Sequence, residues 1–175
     1  LIPIEGRPLT MAVGTVRVGQ KPVLATVVDV DGKRELWLRH ADGTVARQKL
    51  SDAFKSNPSS LTIHDLNHDG LPDLIVLIPY EKVKVLLQDD AQSFDEQDVA
   101  PPGGSAEQPW LSTAAVDGDG KTELLLAQKN FVRALVLQTD GPGAEGAAKS
   151  AWSFRVKEQI NGASRSSRII GAAAV

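Results

Sequence analysis

Asp65-Leu66-Asn67-His68-Asp69-Gly70-Leu71-Pro72-Asp73-Leu74-Ile75-Val76 is the stretch on which the reading of this chain turns. Oxygen-bearing side chains alternate around a glycine, and an apolar run follows at 74–78 until Pro79 closes it. A run that short, rich in branched residues and bounded by turn formers, predicts a buried strand rather than a helix. Two further segments align with it without gaps. Residues 24–38 carry Asp29, Asp31, Gly32 and Glu35, and residues 112–126 carry Asp117, Asp119, Gly120 and Glu123. Each reads as an apolar segment, an acidic turn with glycine, and a second apolar segment. Gly32, Gly70 and Gly120 are unevenly spaced, which predicts a repeated supersecondary unit with variable outer loops.

Working outward, strands are expected at 23–28 and 35–40, with a hairpin at Asp42-Gly43, a dipeptide that tolerates the positive φ of a primed turn. Residues 74–78 turn around Pro79-Tyr80-Glu81 into 82–88, and 124–128 turn at Lys129-Asn130 into 131–138. Phe54, Phe94 and the pair Trp152 and Phe154 follow the three units and are expected on short outer strands. The Pro/Gly-rich stretches 100–105 and 140–146 read as surface connectors. No long amphipathic helical period appears, so the fold class is all-β.

Composition narrows the function. The chain has 175 residues, no cysteine and a formal net charge of -3. Such a length can bury a sizeable core. The missing cysteine excludes disulfides, thiolate metal sites and a cysteine nucleophile. No Lys/Arg run offers a nucleic-acid footprint, and no apolar stretch approaches the roughly 20 residues of a membrane-spanning helix.

The middle turn carries the chemistry. Alternate oxygen side chains from Asp65, Asn67, Asp69 and Asp73, folded round Gly70 with the Leu71 carbonyl, suit a hard cation that takes six to eight oxygen ligands. Converging carboxylates otherwise repel, by about 4 kcal/mol for two charges 4 Å apart at an effective dielectric near 20. Calcium fits better than magnesium, which demands near-octahedral geometry. An EF-hand would need Glu where Val76 stands, and helices on both flanks. Both conditions fail.

These residues, with Val85-Leu86-Leu87-Gln88 and Phe94 after them, resemble the FG-GAP/VCBS repeat family of calcium-loop β-propellers. The resemblance implies four-stranded antiparallel blades and structural Ca²⁺ on Asp65, Asn67, Asp69, Leu71 and Asp73. Val27 and Ala115 stand where the family places its first acid. Asp29, Asp31 and Glu35, and likewise Asp117, Asp119 and Glu123, are therefore expected as weaker, degenerate sites. Residues 169–175 resemble 111–116, so about three and a half blades are expected. The expected division is 1–22 as lead-in strands or the outer part of a preceding blade, 23–58, 59–108 and 109–165 as blades, and 166–175 as the first strand of another. Further chain or a second subunit would supply the remaining blades of the ring.

Candidates for catalysis are few. His64 and His68 flank the acidic turn, where His68 is expected to face solvent, and His40 lies apart. None belongs to a hydrolase, P-loop or dinucleotide signature. Trp37 is expected in the core, and Trp110 near a rim, packed against the blade rather than exposed to stack on a sugar. The expected function is a non-catalytic binding or scaffolding module for a protein or glycan partner, extracellular, periplasmic or at the cell surface. The alternative is an accessory propeller domain of a larger enzyme whose catalytic residues lie elsewhere.

Overall fold

The computed structural model describes residues 4–51, 56–91, 93–104, 106, 110–139, 152–164 and 166–169. Twelve strands form three four-stranded antiparallel sheets, with no helix among the described residues. The first sheet holds β1 (Arg7–Gly14), β2 (Val23–Val30), β3 (Lys33–Arg39) and β4 (Val45–Lys49) in that order. The second holds β5 (Ser60–His64), β6 (Asp73–Leu77), β7 (Val83–Gln88) and β8 (Phe94–Val99). The third holds β9 (Leu111–Ala114), β10 (Glu123–Gln128), β11 (Phe131–Thr139) and β12 (Trp152–Asn161). Among the described residues no helix is long and apolar enough to cross a membrane.

The unbroken apolar run after the middle turn has a direct cause. Every residue of β6 and β7 is buried, because the second sheet lies between the other two. Side chains alternate across a pleated strand. Leu74 and Val76 enter a core shared with Val23, Ala25, Val27 and Leu36 of the first sheet. Ile75 and Leu77 enter another, with Leu124, Leu126, Leu135 and Phe154 of the third. A strand covered on both faces needs apolar residues at every position, not at every second one. Neighbouring sheets meet through β1 and β5 and through β5 and β9, with a further contact between β8 and β12. This is blade-on-blade stacking, three sheets of a propeller without closure.

The expected strand pairings after the middle and third turns hold, and Phe94, Trp152 and Phe154 lie on outer strands. Phe54 and residues 140–146 fall outside the described residues, as do 170–175; of the expected extra half blade only 166–169 are described, and they form no strand.

The first unit differs from expectation in its register. Residues 7–14, expected among lead-in strands or the outer part of a preceding blade, form β1 of the first sheet, hydrogen-bonded along β2. Asp31-Gly32 therefore joins the second and third strands of its sheet, whereas Gly70 and Gly120 lie between the first and second. Val30 pairs Lys33, and Asp31 (φ 50) and Gly32 (φ 82) both adopt left-handed backbone. That is a two-residue primed hairpin, for which Asp-Gly is favoured on conformational grounds alone. The counterpart of the middle turn is 15–22, and the three connections 15–22, 65–72 and 115–122 are equal in length and evenly spaced. Val16 and Leu66, second in their connections, are both buried.

Candidate metal centre

The middle turn is wound by its own side chains. Asp65 accepts from the Asp69 N–H at 3.1 Å and from the Gly70 N–H at 2.9 Å. Asn67 Oδ1 accepts from the same Asp69 N–H at 3.0 Å, and Asp69 Oδ1 accepts from Leu71 at 2.8 Å. His68 (φ 60) and Gly70 (φ 92) supply the left-handed backbone that bends the loop. Asn67 donates its amide to the free Asp69 oxygen at 2.8 Å. Asp65, Asn67 and Asp69 thus gather on one small loop, and among the described residues no basic side chain pairs with any of them or with Asp73. The donor set is all oxygen, which fits a hard cation, but Asp65, Asp69 and Asp73 do not bring their oxygens within 4.8 Å of one another, as the acids of the third turn do.

Asp73 is a different kind of ligand. It opens β6 fully buried, and its two oxygens accept from the N–H groups of Leu66 and Gln88, each at 3.0 Å. It ties the loop to β7, binding the turn from beneath. Burial raises its carboxyl to about 6, with the charges of Asp69 and Asp65 pushing the same way and the two backbone donors opposing. A folded-state value above the unfolded one means the native state prefers the proton. This group's contribution is then full below about pH 4 and is lost as pH rises through 6. In chelator, the stability of the wild type relative to Asp73→Asn should fall between pH 4 and pH 6.5, measured by urea unfolding. A flat difference would refute the assignment.

In the third turn, Asp117, Asp119 and Glu123 offer carboxylate oxygens all within 4.8 Å of one another, close enough to hold one cation. Glu123 repeats the part of Asp73: it opens β10, is fully buried, and accepts from the Val116 N–H at 3.0 Å. The Lys157 ammonium stands among all three acids, at 2.5, 2.8 and 2.8 Å. Hydrogen bonding from Lys157, with help from the Lys121 N–H, lowers the Asp119 carboxyl to about 2, and the three carboxylates raise the ammonium.

Asp29, Asp31 and Glu35 are not brought together. Asp29 pairs with Arg7 at 3.0 Å and Arg34 at 3.2 Å, and the Arg7 guanidinium holds its carboxyl below the usual range. Glu35 accepts the Trp37 indole N–H at 2.8 Å, while Arg47 stacks on that ring. Asp31 serves the hairpin. At the true counterpart of Asp73 the first sheet has buried Val23, preceded by Arg17 and Lys21 in a connection without an acid.

The histidines have structural parts that the sequence reading missed. His64 and His68 both place Nε2 on the Thr122 carbonyl, at 2.8 and 3.2 Å. A carbonyl only accepts, so both rings donate, and they clamp the middle turn onto the third. His68 is half-buried by this contact rather than turned to solvent. His40 lines a cleft of about 290 Å³ with Arg17, Gln20, Gln88 and Phe94. Trp37 is buried, as expected, whereas Trp110, expected to pack against the blade, is exposed just ahead of β9.

No curated protein matches the sequence. Among family models, the description "FG-GAP-like repeat" matches from Asp65, the first residue of the middle turn, into β10. The resemblance read from the acidic turn is borne out there: residues 65–126 match the FG-GAP-like repeat.

Proposed function

We propose that the chain is a non-catalytic propeller module whose middle turn takes a structural Ca²⁺ on Asp65, Asn67 and Asp69, with Asp73 and the Leu71 carbonyl completing the set. One observation carries this reading: Asp65, Asn67 and Asp69 share a small loop with no basic partner among the described residues, and the charges of Asp69 and Asp65 push up the buried Asp73 carboxyl beneath it. A bound Ca²⁺ would offset that repulsion and rigidify the loop that the two histidines clamp to its neighbour. Its task would be to present rim loops to a protein or glycan partner, with half-exposed Trp110 as a surface on which a ring can stack. Loops of this type in extracellular modules bind at about 10⁻⁴ to 10⁻³ M, which suits a secreted, periplasmic or cell-surface setting. The same module would serve equally as an accessory domain of a larger enzyme.

The test is the melting temperature in millimolar Ca²⁺ against chelator. A ligand that binds only the native state stabilises it by about 2.7 kcal/mol at a hundredfold excess over Kd. Wild type should rise by several degrees, and Asp69→Ala should lose that rise. An unchanged melting temperature would remove both the calcium and the argument for an extracellular home.

A further inference from the structure

We infer that the third acidic turn carries its own cation: the Lys157 ammonium stands where a metal would be held, so this turn closes without one. Three observations carry it. The ammonium contacts Asp117, Asp119 and Glu123 together, and these are the same three acids whose oxygens converge within 4.8 Å. Lys157 is also the extra residue of a β-bulge. Ala134 pairs Glu158 and Leu135 pairs Val156, which leaves Lys157 without a cross-strand partner. A bulge re-aims the side chain at its kink, and here it sends a lysine from the outermost strand back to the turn. Its side chain is 15% exposed, on a strand stretch where Arg155, Val156 and Glu158 are exposed.

The middle turn lacks such a lysine and has Asp65 where the third has Ala115. The two turns thus settle a similar charge problem differently. One gathers its acids around an external ion, under the reading above, and the other around a tethered ammonium. A tethered cation is present at any calcium concentration, so the third turn contributes constant stiffness. The inference does not rest on calcium at the middle turn, and Asp69→Ala takes that turn out of the readout.

The test compares Asp69→Ala with Asp69→Ala/Lys157→Met by thermal unfolding in chelator and in millimolar Ca²⁺. Asp69→Ala should be indifferent to Ca²⁺. The double variant should melt about 5 °C lower in chelator and regain part of that loss in Ca²⁺, because three carboxylates are left without their counter-ion. A calcium rise in Asp69→Ala that Asp119→Ala abolishes would overturn the inference, since metal would then displace the lysine. An unshifted double variant in chelator, or one that Ca²⁺ fails to raise, would overturn it as well. Should the double variant not fold, the wild type decides. Its Lys157 ammonium resonance should be protected from solvent exchange and unmoved by Ca²⁺, and its loss on adding Ca²⁺ would refute the assignment.

Discussion

Lys84→Met is expected to lower the unfolding free energy by about 3 kcal/mol, the low end of what breaking a buried ion pair costs. Lys84 is the second residue of β7, fully buried, in register with Asp98 and Val76. By alternation with Leu86 it faces the first sheet. Its ammonium meets Glu96 at 2.8 Å, Asp98 at 2.9 Å and the Ser51 hydroxyl at 3.0 Å. Burial would lower the ammonium, but the hydrogen bonds to Glu96 and Asp98 outweigh it and hold the group above its ordinary value. Glu96 in turn accepts from the Ser51 N–H at 2.9 Å and hydroxyl at 2.8 Å. The lysine therefore stitches the second sheet to the end of the first. Methionine preserves the volume but strands two carboxylates. They keep partial access to water, and Asp98 also pairs with Lys82, so the loss sits at the low end. At about 2–4 °C per kcal/mol for a chain of this size, the melting temperature should drop by roughly 6–12 °C. Adding Glu96→Gln should restore part of it. A loss under about 1 kcal/mol would show that the network is ornamental.

Asp73→Ala, measured in chelator, is expected to cost a similar amount by a different route. Removing the carboxylate leaves the Leu66 and Gln88 N–H groups buried without an acceptor. Each orphaned donor costs about 1–3 kcal/mol, so the sum should reach about 3 kcal/mol. Asp69→Ala in chelator is the control, because that residue is exposed and serves only its own loop. It should cost no more than about 1 kcal/mol. Equal losses at the two positions would mean that Asp73 does not tie the loop to β7. A much larger loss at Asp73 makes it a structural pin first and a ligand second.

Much of this was legible in the residues. The run 74–78 announced a buried strand, and Asp42-Gly43 and Lys129-Asn130 announced their hairpins. The error in the first unit came from chemistry that serves two purposes. Asp-Gly marks a primed hairpin as well as an acidic loop, and Asp31-Gly32 satisfied the eye for the wrong reason. The better signal was Lys21-Pro22-Val23-Leu24, which matches Leu71-Pro72-Asp73-Leu74 in position and shares its proline. That connection has lost every acid, so its composition does not mark it as the counterpart. Lys157 and Lys84 were invisible for a more general reason. Each acts on residues distant in sequence, one through a bulge and one across two sheets, and nothing local to either lysine reports its partner. The histidines beside the middle turn were visible, but their shared acceptor on the next connection was not.

The parity of β6 has a consequence beyond packing. Even-numbered positions of that strand touch one neighbouring sheet and odd-numbered positions the other. Each sheet meets only the sheets beside it, so cohesion passes along the stack as a series of nearest-neighbour couplings. The middle sheet is the sole relay between the outer two among the described residues. A disturbance in the first sheet reaches the third only by shifting a backbone whose alternate side chains are seated in both. Three strands of the middle sheet, β5, β6 and β7, are thus where the outer sheets can sense one another.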